Sequence, residues 1–319
     1  MSELQYSEID NRLATRLGAV HARQRLGIES AHEAQVFGQG LNFFHIENWY
    51  SIHSLIRNIL RVAGLHRRGM RNAADVQLRT NRVQSGKLSA AFDGFRILHL
   101  SDLHTDMSVR AMQRVSQLVR DAKYDVCVMT GDFRAKTFGP FKPCLQALTP
   151  VIAALHGPIY GVLGNHDTVR MLPELEDMGV HILMNECIAL ERGLSRILLA
   201  GIDDAHFFRV DNIEKAAEQI GEGEFSMLLS HTPEIYRQAA HAGFDLLLCG
   251  HTHGGQICLP GGIPITLDAT LPRRYGAGAW QYHDMAGYTS VGAGSSVVAV
   301  RLNCRPEITI HELLSTGGP

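Results

Sequence analysis

From residue 95 onward, short apolar runs alternate with amphipathic stretches, a pattern that few folds can accommodate. The runs FRILHL (95–100) and DVCVMT (125–130) enclose a segment with apolar residues at helical spacing, and IYGVL (159–163) follows a second such segment. The runs HILM, RILLAG, SMLLS and DLLLC continue the series as far as residue 249. Alternation of strands and helices is typical of β-α-β units, so we predict an α/β fold built on parallel strands.

The pattern changes after residue 256, where glycine and proline become frequent. The runs YTSVG, VVAVRL and EITIHEL indicate consecutive strands without helices between them. We therefore predict a mixed architecture, with parallel units first and an antiparallel tail later. Helices are expected near 169–178, 211–220 and 233–242, with Asp211 and Thr232 at two of the helix starts.

Residues 1–85 differ from the rest, and we expect them to form a helical extension of a catalytic domain at 86–319. Within residues 41–71, a helix around Trp49 has an apolar face that includes Ile52, Leu55, Ile56, Ile59 and Val62, and a cluster of arginines follows it. One interpretation is an accessory helix packed on the body. The other is a helix that lies at a membrane surface. Arg57 and Arg61 within its span exclude a bilayer crossing.

Charge and cysteine usage restrict the partners and the compartment. Residues 1–90 carry 12 Lys and Arg against 7 Asp and Glu, whereas the remainder carries 18 against 25. An acidic body without an aromatic-basic groove argues against nucleic acid as a partner. The six widely spaced cysteines indicate reduced thiols, and no signal peptide or transmembrane segment is recognisable. We expect a cytoplasmic protein, with the inner face of the membrane as the peripheral alternative.

The predicted strands repeatedly end in side chains that bind metals. HLSDLH, MTGDF, LGNHD, LLSH and LCGHTHGG close five strands with a carboxylate, an amide or an imidazole. The carboxyl ends of strands in an α/β sheet line one crevice, so these groups should converge. They are Asp102, His104, Asp132, Asn165, His231, His251 and His253.

The ligand types indicate the metal and the chemistry. Imidazoles with a few oxygen ligands and no thiolate suit Mn²⁺, Fe²⁺ or Zn²⁺. Seven ligands are too many for one such ion, whereas two ions that share a carboxylate accommodate them. A pair of divalent ions activates a water molecule and holds phosphoryl oxygens, which predicts hydrolysis of a phosphate ester or anhydride.

A proton donor for the leaving oxygen is the remaining requirement. We predict that His166 fills this role and that the neighbouring Asp167 orients and charges it. We assign no role to His99. Asp203, Asp204 and His206 in GIDDAHFF are explained at least as well by a capped turn as by contact with the metal ligands.

The order Asp-x-His, Gly-Asp, Gly-Asn-His-Asp, His, Gly-His-x-His resembles the motif series of the calcineurin-like metallophosphoesterases, over about residues 93–313. ILHLSDLH, GNHD, GHTHGGQ and RRYGAG are most similar to the bacterial group of small phosphodiesterases and UDP-2,3-diacylglucosamine pyrophosphatases. The resemblance implies a four-layer α/β/β/α sandwich. It further implies that Asp102, His104, Asp132 and His253 hold one ion, and that Asp132 bridges to a second ion held by Asn165, His231 and His251.

The resemblance also implies a substrate class. We expect a phosphodiester or pyrophosphate, with a lipid-linked nucleotide such as UDP-diacylglucosamine preferred. A soluble nucleotide phosphodiesterase or nuclease with the same site is one alternative, and a metal-free scaffold of this fold is the other. The chain departs from the pattern at TSVGAG, where Val291 stands at an expected arginine.

Overall fold

A computed structural model describes residues 3–38 and 50–317 of the chain. The helices in these ranges are α1 (Glu3–Leu17), α2 (Ala19–Gly38), α3 (Tyr50–Val62), α4 (His66–Ala74), α5 (Val109–Asp121), α6 (Lys142–Ile152), α7 (Leu172–Asp177), α8 (Ile213–Ala217) and α9 (Tyr236–His241). The strands are β1 (Gln77–Ser85), β2 (Phe95–Leu100), β3 (Val126–Thr130), β4 (Ile159–Val162), β5 (Val180–Ile182), β6 (Glu186–Arg192), β7 (Ser195–Gly201), β8 (Ser226–Leu229), β9 (Leu246–Cys249), β10 (Cys258–Leu259), β11 (Ile263–Pro264), β12 (Gly278–Tyr282), β13 (Met285–Thr289) and β14 (Glu307–Ser315).

Within the described residues twelve strands form two six-stranded sheets, and β10 and β11 pair separately with each other. The first has the order β1-β14-β2-β3-β4-β5 and the second has the order β12-β13-β9-β8-β7-β6. Neighbouring strands from β2 to β5 and from β7 to β9 are parallel, whereas β14 runs antiparallel to β2 and β12 antiparallel to β13. The predicted combination of parallel β-α units and a late antiparallel part is confirmed.

The sheets lie face to face between two layers of helices. Alternation along each strand explains this, because successive side chains point to opposite faces. Ile97 belongs to the core between the sheets and Leu98 to the core under α5 and α6. In the second sheet, Leu199 faces the first sheet and Leu198 the core that contains α9. The implied four-layer α/β/β/α sandwich is therefore confirmed.

Side chains that cap the backbone mark the starts of several helices, and one start differs from our expectation. The Ser108 hydroxyl accepts a hydrogen bond from the amide of Ala111 at the start of α5, and Thr232 caps the turn before α9 as expected. The start expected at Asp211 is wrong by one residue. Asn212 is the N-cap of α8, where its side chain accepts a hydrogen bond from the amide of Lys215.

The run VVAVRL is not a strand, contrary to our expectation. Val297 has φ 61°, outside the β region, and Leu302 forms only an isolated bridge with Ile257. Val300 and Leu302 instead pack against Leu60 of α3. Tertiary packing against this helix therefore replaces the sheet pairing that the apolar, valine-rich run predicts.

The N-terminal helices lie on the body. Leu13 of α1 and Ala22 of α2 belong to the core of the first sheet. Strand β1 pairs with β14 in parallel at the edge of that sheet, from Gln77 opposite Glu307 to Ser85 opposite Ser315. Strand β1 therefore belongs to the extension that we expected at residues 1–85, yet it is part of the first sheet of the body.

Among the α3 side chains that the structure describes, which begin at residue 54, the buried face is narrower than the sequence suggests. Ile56 and Leu60 pack against the body, whereas Leu55, Ile59 and Val62 are exposed. Trp49 lies outside the described residues, as does the chain from 39 to 48. Among the described helices, none has the length and apolar character needed to span a bilayer.

All six cysteines are free thiols, as expected. Five are buried and Cys304 is half-buried.

Candidate metal centre

The residues expected to bind metals follow strands of both sheets. Asp102 and His104 follow β2, Asp132 follows β3, and Asn165 follows β4 of the first sheet. His231 follows β8, and His251 and His253 follow β9 of the second sheet. All except the half-buried Asn165 are buried, and the structure brings all seven together where the two sheets end.

Glycines in the motifs make this convergence sterically feasible. A Cβ atom at Gly250 would overlap the Ser101 hydroxyl and the Asp102 carboxylate. A Cβ atom at Gly164 would overlap the carboxylate of Asp132. The glycines of GHTHGG and GNHD therefore let the backbone approach the two central carboxylates closely.

The ligand residues have unusual backbone conformations. Five of them have left-handed φ values between 40° and 69°, namely Asp102, His104, Asp132, His251 and His253. Residues other than glycine rarely adopt this conformation, and it concentrates at functional sites where the surroundings enforce it. The strand ends are thus bent so that their side chains point into one space.

A first group of ligand atoms surrounds His104. Its Nε2 lies 3.1 Å from Nε2 of His253 and 3.8 Å from Oδ2 of Asp132. The His253 Nε2 lies 3.5 Å from Oδ1 of Asp102. Asp102, His104 and His253 each place one ligand atom within 4.8 Å of the others, a spacing that can hold an ion.

A second group surrounds the Asn165 side chain. Its Oδ1 lies 2.8 Å from Nε2 of His231 and 2.9 Å from Nδ1 of His251. The His231 Nε2 lies 3.4 Å from Oδ2 of Asp132. Asp102, Asp132 and His231 also meet the 4.8 Å spacing, so Asp102 belongs to both sets of potential ligands.

The outer nitrogens of two imidazoles fix the orientation of their rings. The Nδ1 of His104 lies 2.7 Å from the carbonyl oxygen of Arg134, and the Nδ1 of His231 lies 2.8 Å from that of Thr130. A carbonyl oxygen only accepts, so each Nδ1 donates and each Nε2 faces the cluster. This arrangement is typical of metal-binding histidines.

The residues fit a pair of divalent cations. Nε2 of His251 is buried and has no hydrogen-bond partner within the described part of the chain. Two imidazole pairs, His104 with His253 and His231 with His251, face each other through nitrogens at 3.1 and 3.2 Å. Nitrogens and carboxylate oxygens crowded in this way are ligands of the type that Mn²⁺, Fe²⁺ and Zn²⁺ prefer.

Asp132 and His231 each favour the charged form of the other. Burial alone would raise the pKa of Asp132, but the neighbouring His231 and His166 outweigh burial and hold that pKa well below its usual range. Burial opposes the charged form of His231, yet Asp132 raises its pKa to about 10. The Asp132 carboxylate is therefore ionised in the core of the site, which suits it to bind a cation.

Asp167 has a different position from the one we expected. Its carboxylate accepts hydrogen bonds from the backbone amides of Asp132, Phe133 and Gly164, at 2.8, 3.0 and 2.9 Å. It therefore ties the GNHD loop to the end of β3, and no hydrogen bond joins it to the His166 ring in the part of the chain that the structure describes. The Nδ1 of His166 lies 3.3 Å from the Thr137 hydroxyl.

His166 itself lies at the metal cluster. Its Nε2 is 3.8 Å from Oδ2 of Asp132, and its ring meets that of His104 edge-on at 5.3 Å. Its backbone amide donates to Oδ1 of Asp132 at 2.9 Å. These contacts place the imidazole beside both groups of ligand atoms.

The GIDDAHFF turn is capped as we anticipated, and it also reaches the site. The Asp204 carboxylate accepts hydrogen bonds from the amides of residues 206 to 208. The His206 ring lies 4.3 Å from the ring of His251, and its Nδ1 lies 2.6 Å from Oε2 of Glu234. The turn is therefore both capped by Asp204 and in contact with the predicted metal ligand His251 through His206.

Sequence reasoning missed a buried arginine beneath the cluster. The guanidinium of Arg301 is fully buried, donates to the carbonyls of Val291 and Gly294, and lies 3.1 Å from Nδ1 of His253. The resemblance leads one to expect an arginine at position 291, where this chain has valine. Arg301 places its guanidinium beside that loop instead. The only signal was a charged residue within the apolar run VVAVRL.

The N-terminal extension also contributes contacts that the sequence did not indicate. Arg25 of α2 is fully buried and donates to the Asp203 carboxylate and to the carbonyl of Asp167. Glu29 accepts hydrogen bonds from the Thr168 hydroxyl and the amide of Val169. Helix α2 therefore holds the loop that carries Asn165 and His166.

Comparison with known proteins agrees with this geometry. A family model described as calcineurin-like phosphoesterase matches residues 95–255. An uncharacterized metallophosphoesterase, YkoQ of Bacillus subtilis (strain 168), is 32% identical over 76% of this chain and 92% of its own length. YkuE of the same organism, also an uncharacterized metallophosphoesterase, is 29% identical over 76% of this chain and 86% of its own.

A third relative has a named activity. The phosphodiesterase YaeI of Escherichia coli (strain K12) is 27% identical over 69% of this chain and 82% of its own length. The matched region spans every residue of the metal cluster. This chain therefore belongs to the calcineurin-like phosphoesterase family of dimetal enzymes and is a hydrolase of phosphate esters.

Proposed function

We propose that this enzyme cleaves a phosphodiester or a pyrophosphate at two divalent cations. Asp132 would serve both ions, and the other residues that would hold them are Asp102, His104, His253, Asn165, His231 and His251. The observation that carries the proposal is the convergence of these seven side chains, from the ends of strands in two sheets, so that each lies within hydrogen-bonding or ion-pair distance of at least one other. When bound, the ions activate a water molecule and withdraw charge from the phosphoryl oxygens.

His166 donates a proton to the leaving oxygen in this proposal. Its Nε2 faces the cluster beside Asp132, while Nδ1 lies near the Thr137 hydroxyl. A protonated imidazole in that position also places positive charge next to the phosphoryl group. Asp167 acts indirectly, because its carboxylate holds the backbone of the loop that carries His166.

A cleft beside the cluster is suited to the substituent on the phosphate. It has a volume of about 570 Å³ and lies between α2 and the GIDDAHFF turn. Its lining is Ile28, His32, His206, Phe207, Phe208 and Arg209. His206 connects it with the metal centre through the ring of His251. Apolar and aromatic walls with a cation favour a substrate that has an apolar or aromatic group near its phosphate.

The exposed face of α3 supports a lipid-linked substrate and membrane contact. Leu55 and Ile59 are 57% and 56% exposed, and Val62 is 92% exposed. Arg67 and Arg68 of α4 follow on the exposed surface. Exposed apolar side chains next to arginines are characteristic of helices that bind anionic lipid surfaces.

Flotation with vesicles of phosphatidylglycerol and phosphatidylethanolamine tests whether the exposed face of α3 binds a membrane. We expect the wild-type protein to float with the vesicles and the double variant Leu55→Ser, Ile59→Ser to stay in the dense fraction. Val109→Ser, which removes a valine exposed on α5, is the matched control and should float. Equal recovery of the wild type and the double variant would remove the support for a membrane-bound substrate.

A substrate panel tests the reaction. With Mn²⁺ bound, we expect bis(p-nitrophenyl) phosphate and UDP-diacylglucosamine to be hydrolysed faster than p-nitrophenyl phosphate. Faster hydrolysis of cyclic nucleotides or single-stranded DNA would favour the soluble nucleotide phosphodiesterase. An absence of metal-dependent hydrolysis across the panel would contradict the proposed function.

A further inference from the structure

A continuous row of polar side chains crosses the first sheet and ends on Asp102. It starts at Asn81 on the edge strand β1 and passes through four buried side chains, those of His311, His99, Thr130 and Ser101. Each member belongs to the strand next to that of its neighbour or to the segment directly after a strand. Such a row inside an apolar sandwich is costly unless every member is hydrogen-bonded.

The distances close the row without a gap. Asn81 Nδ2 lies 3.1 Å from His311 Nδ1, and His311 Nε2 lies 3.2 Å from His99 Nδ1. His99 Nε2 lies 2.9 Å from the Thr130 hydroxyl. The Thr130 and Ser101 hydroxyls are 2.7 Å apart, and Ser101 Oγ is 2.5 Å from Oδ2 of Asp102.

The chemistry of each group fixes the direction of these bonds. The Asp102 carboxylate only accepts, so Ser101 donates to it and in turn accepts from Thr130. Because the only hydroxyl proton of Thr130 is donated to Ser101, the Thr130 oxygen must accept from the Nε2–H of His99.

The two imidazoles continue the same direction. A neutral imidazole has one N–H, so Nδ1 of His99 accepts from Nε2–H of His311. Nδ1 of His311 likewise accepts from the amide of Asn81. Every donor in the row therefore points towards Asp102.

The row determines how the Asp102 carboxylate is presented. Its Oδ2 accepts from Ser101, and the backbone amide of His251 lies 3.0 Å from Oδ2 and 3.1 Å from Oδ1. Oδ1 also lies 3.5 Å from Nε2 of His253. Without the donor from His99, the Thr130 hydroxyl would no longer be held in its orientation towards Ser101, and the Ser101–Asp102 hydrogen bond would lose the group that supports it.

We propose that His99 and His311 are positioning residues that hold the Asp102 carboxylate in its ligand orientation through Thr130 and Ser101. This inference rests on the proposed function, since it concerns an ion bound by Asp102. Groups behind a metal ligand typically contribute about 10- to 100-fold to metal affinity or activity.

The test measures Mn²⁺ affinity by calorimetry on protein freed of metal by a chelator. We expect His99→Phe and His311→Phe to bind Mn²⁺ about 10- to 100-fold more weakly than the wild type. His311→Gln keeps a terminal N–H where Nε2 stood, so its affinity should stay within about threefold of the wild type. Hydrolysis of bis(p-nitrophenyl) phosphate should follow the same order.

Thr309→Val is the matched control. Thr309 is a buried polar residue on the same strand as His311, and it contacts the Tyr288 hydroxyl outside the row. Its loss should leave Mn²⁺ affinity unchanged. A purely structural role for the histidines would lower the melting temperature of every variant without this difference in affinity.

Ser101→Ala keeps the inference falsifiable if a phenylalanine variant does not fold. It removes the last donor with a small change of volume and should weaken Mn²⁺ binding to the same extent. Wild-type affinity in folded His99→Phe or in Ser101→Ala would overturn the positioning role alone. A wild-type protein that binds no Mn²⁺ would overturn the proposed function as well.

Discussion

The Nε2 atoms of His104 and His253 lie 3.1 Å apart, although 149 residues separate them in the chain. They come from the ends of β2 and β9, which belong to different sheets. Two imidazole nitrogens that face each other beside two carboxylates form a site suited to a cation. The candidate metal centre therefore forms only when the ends of the two sheets lie side by side.

Asp132 and His166 should differ in what their loss affects. We expect Asp132→Asn to abolish hydrolysis and to weaken binding of both ions, because its carboxylate faces His104 and His231 at 3.8 and 3.4 Å. His166→Ala should retain the ions but lower kcat by about 10²- to 10⁴-fold, the range for loss of a proton donor. Metal analysis and kcat check both. Equal metal loss in the two variants would contradict the assigned roles.

Gly250 should not tolerate a side chain. In Gly250→Ala the new Cβ meets Ser101 and Asp102, so we expect loss of Mn²⁺ binding and of activity. Gly27 in α2 has nothing within 4 Å of a Cβ, and Gly27→Ala should stabilise that helix by about 1 kcal/mol without affecting activity. Calorimetric titration with Mn²⁺ and urea unfolding distinguish the two. Normal metal binding by Gly250→Ala would show that close approach at this glycine is not required.

Arg25 should stabilise the protein far more than a surface arginine does. Arg25→Met leaves the buried Asp203 and Glu29 without their guanidinium, and removal of one partner from such a network costs about 3–5 kcal/mol. Arg12 pairs with Asp177 at the surface, where Arg12→Met should change the unfolding free energy by less than about 1 kcal/mol. Urea denaturation measures both, and equal losses would contradict the network.

Stability should fall with acid through the buried His99. Burial lowers the pKa of His99 to about 3, against about 6.5 in the unfolded chain. Between these values the unfolded chain binds a proton that the folded chain does not, so the unfolding free energy decreases as pH decreases from 6.5. The groups that face His99 are His311, Thr130 and Tyr288, whose hydroxyl donates to Glu307.

Denaturation in urea and chelator at pH 7.5 and pH 5 checks this dependence. We expect His99→Gln to lose less stability between the two pH values than the wild type does. Thr309→Val, which changes no titrating group, should retain the wild-type difference. A wild-type pH dependence in His99→Gln would show that this histidine is not its source.

Local patterns in the sequence were sufficient to predict the ligand-bearing strands. FRILHL and DLLLC are largely apolar runs followed by turn glycines or polar ligands, and each forms the strand that its composition favours. The metal ligands could be predicted for the same reason, because imidazoles and carboxylates after buried strands leave few other interpretations.

Long-range contacts could not be predicted in this way. The pairing of β1 with β14 joins residues about 230 positions apart, and neither strand alternates strictly. Arg25 gave no local sign that it reaches Asp203, and the true partners of Asp167 are backbone amides that no side-chain pattern records. VVAVRL is rich in valine like a strand, yet packing against α3 and the burial of Arg301 override that preference.

The most direct test of the metal centre is an anomalous-scattering map from crystals of chelator-treated protein soaked in Mn²⁺. We predict two peaks, one bounded by Asp102, His104 and His253 and the other by Asn165, His231 and His251, with Asp132 between them. A map with no peak, with a single peak, or with peaks away from these residues would contradict the account.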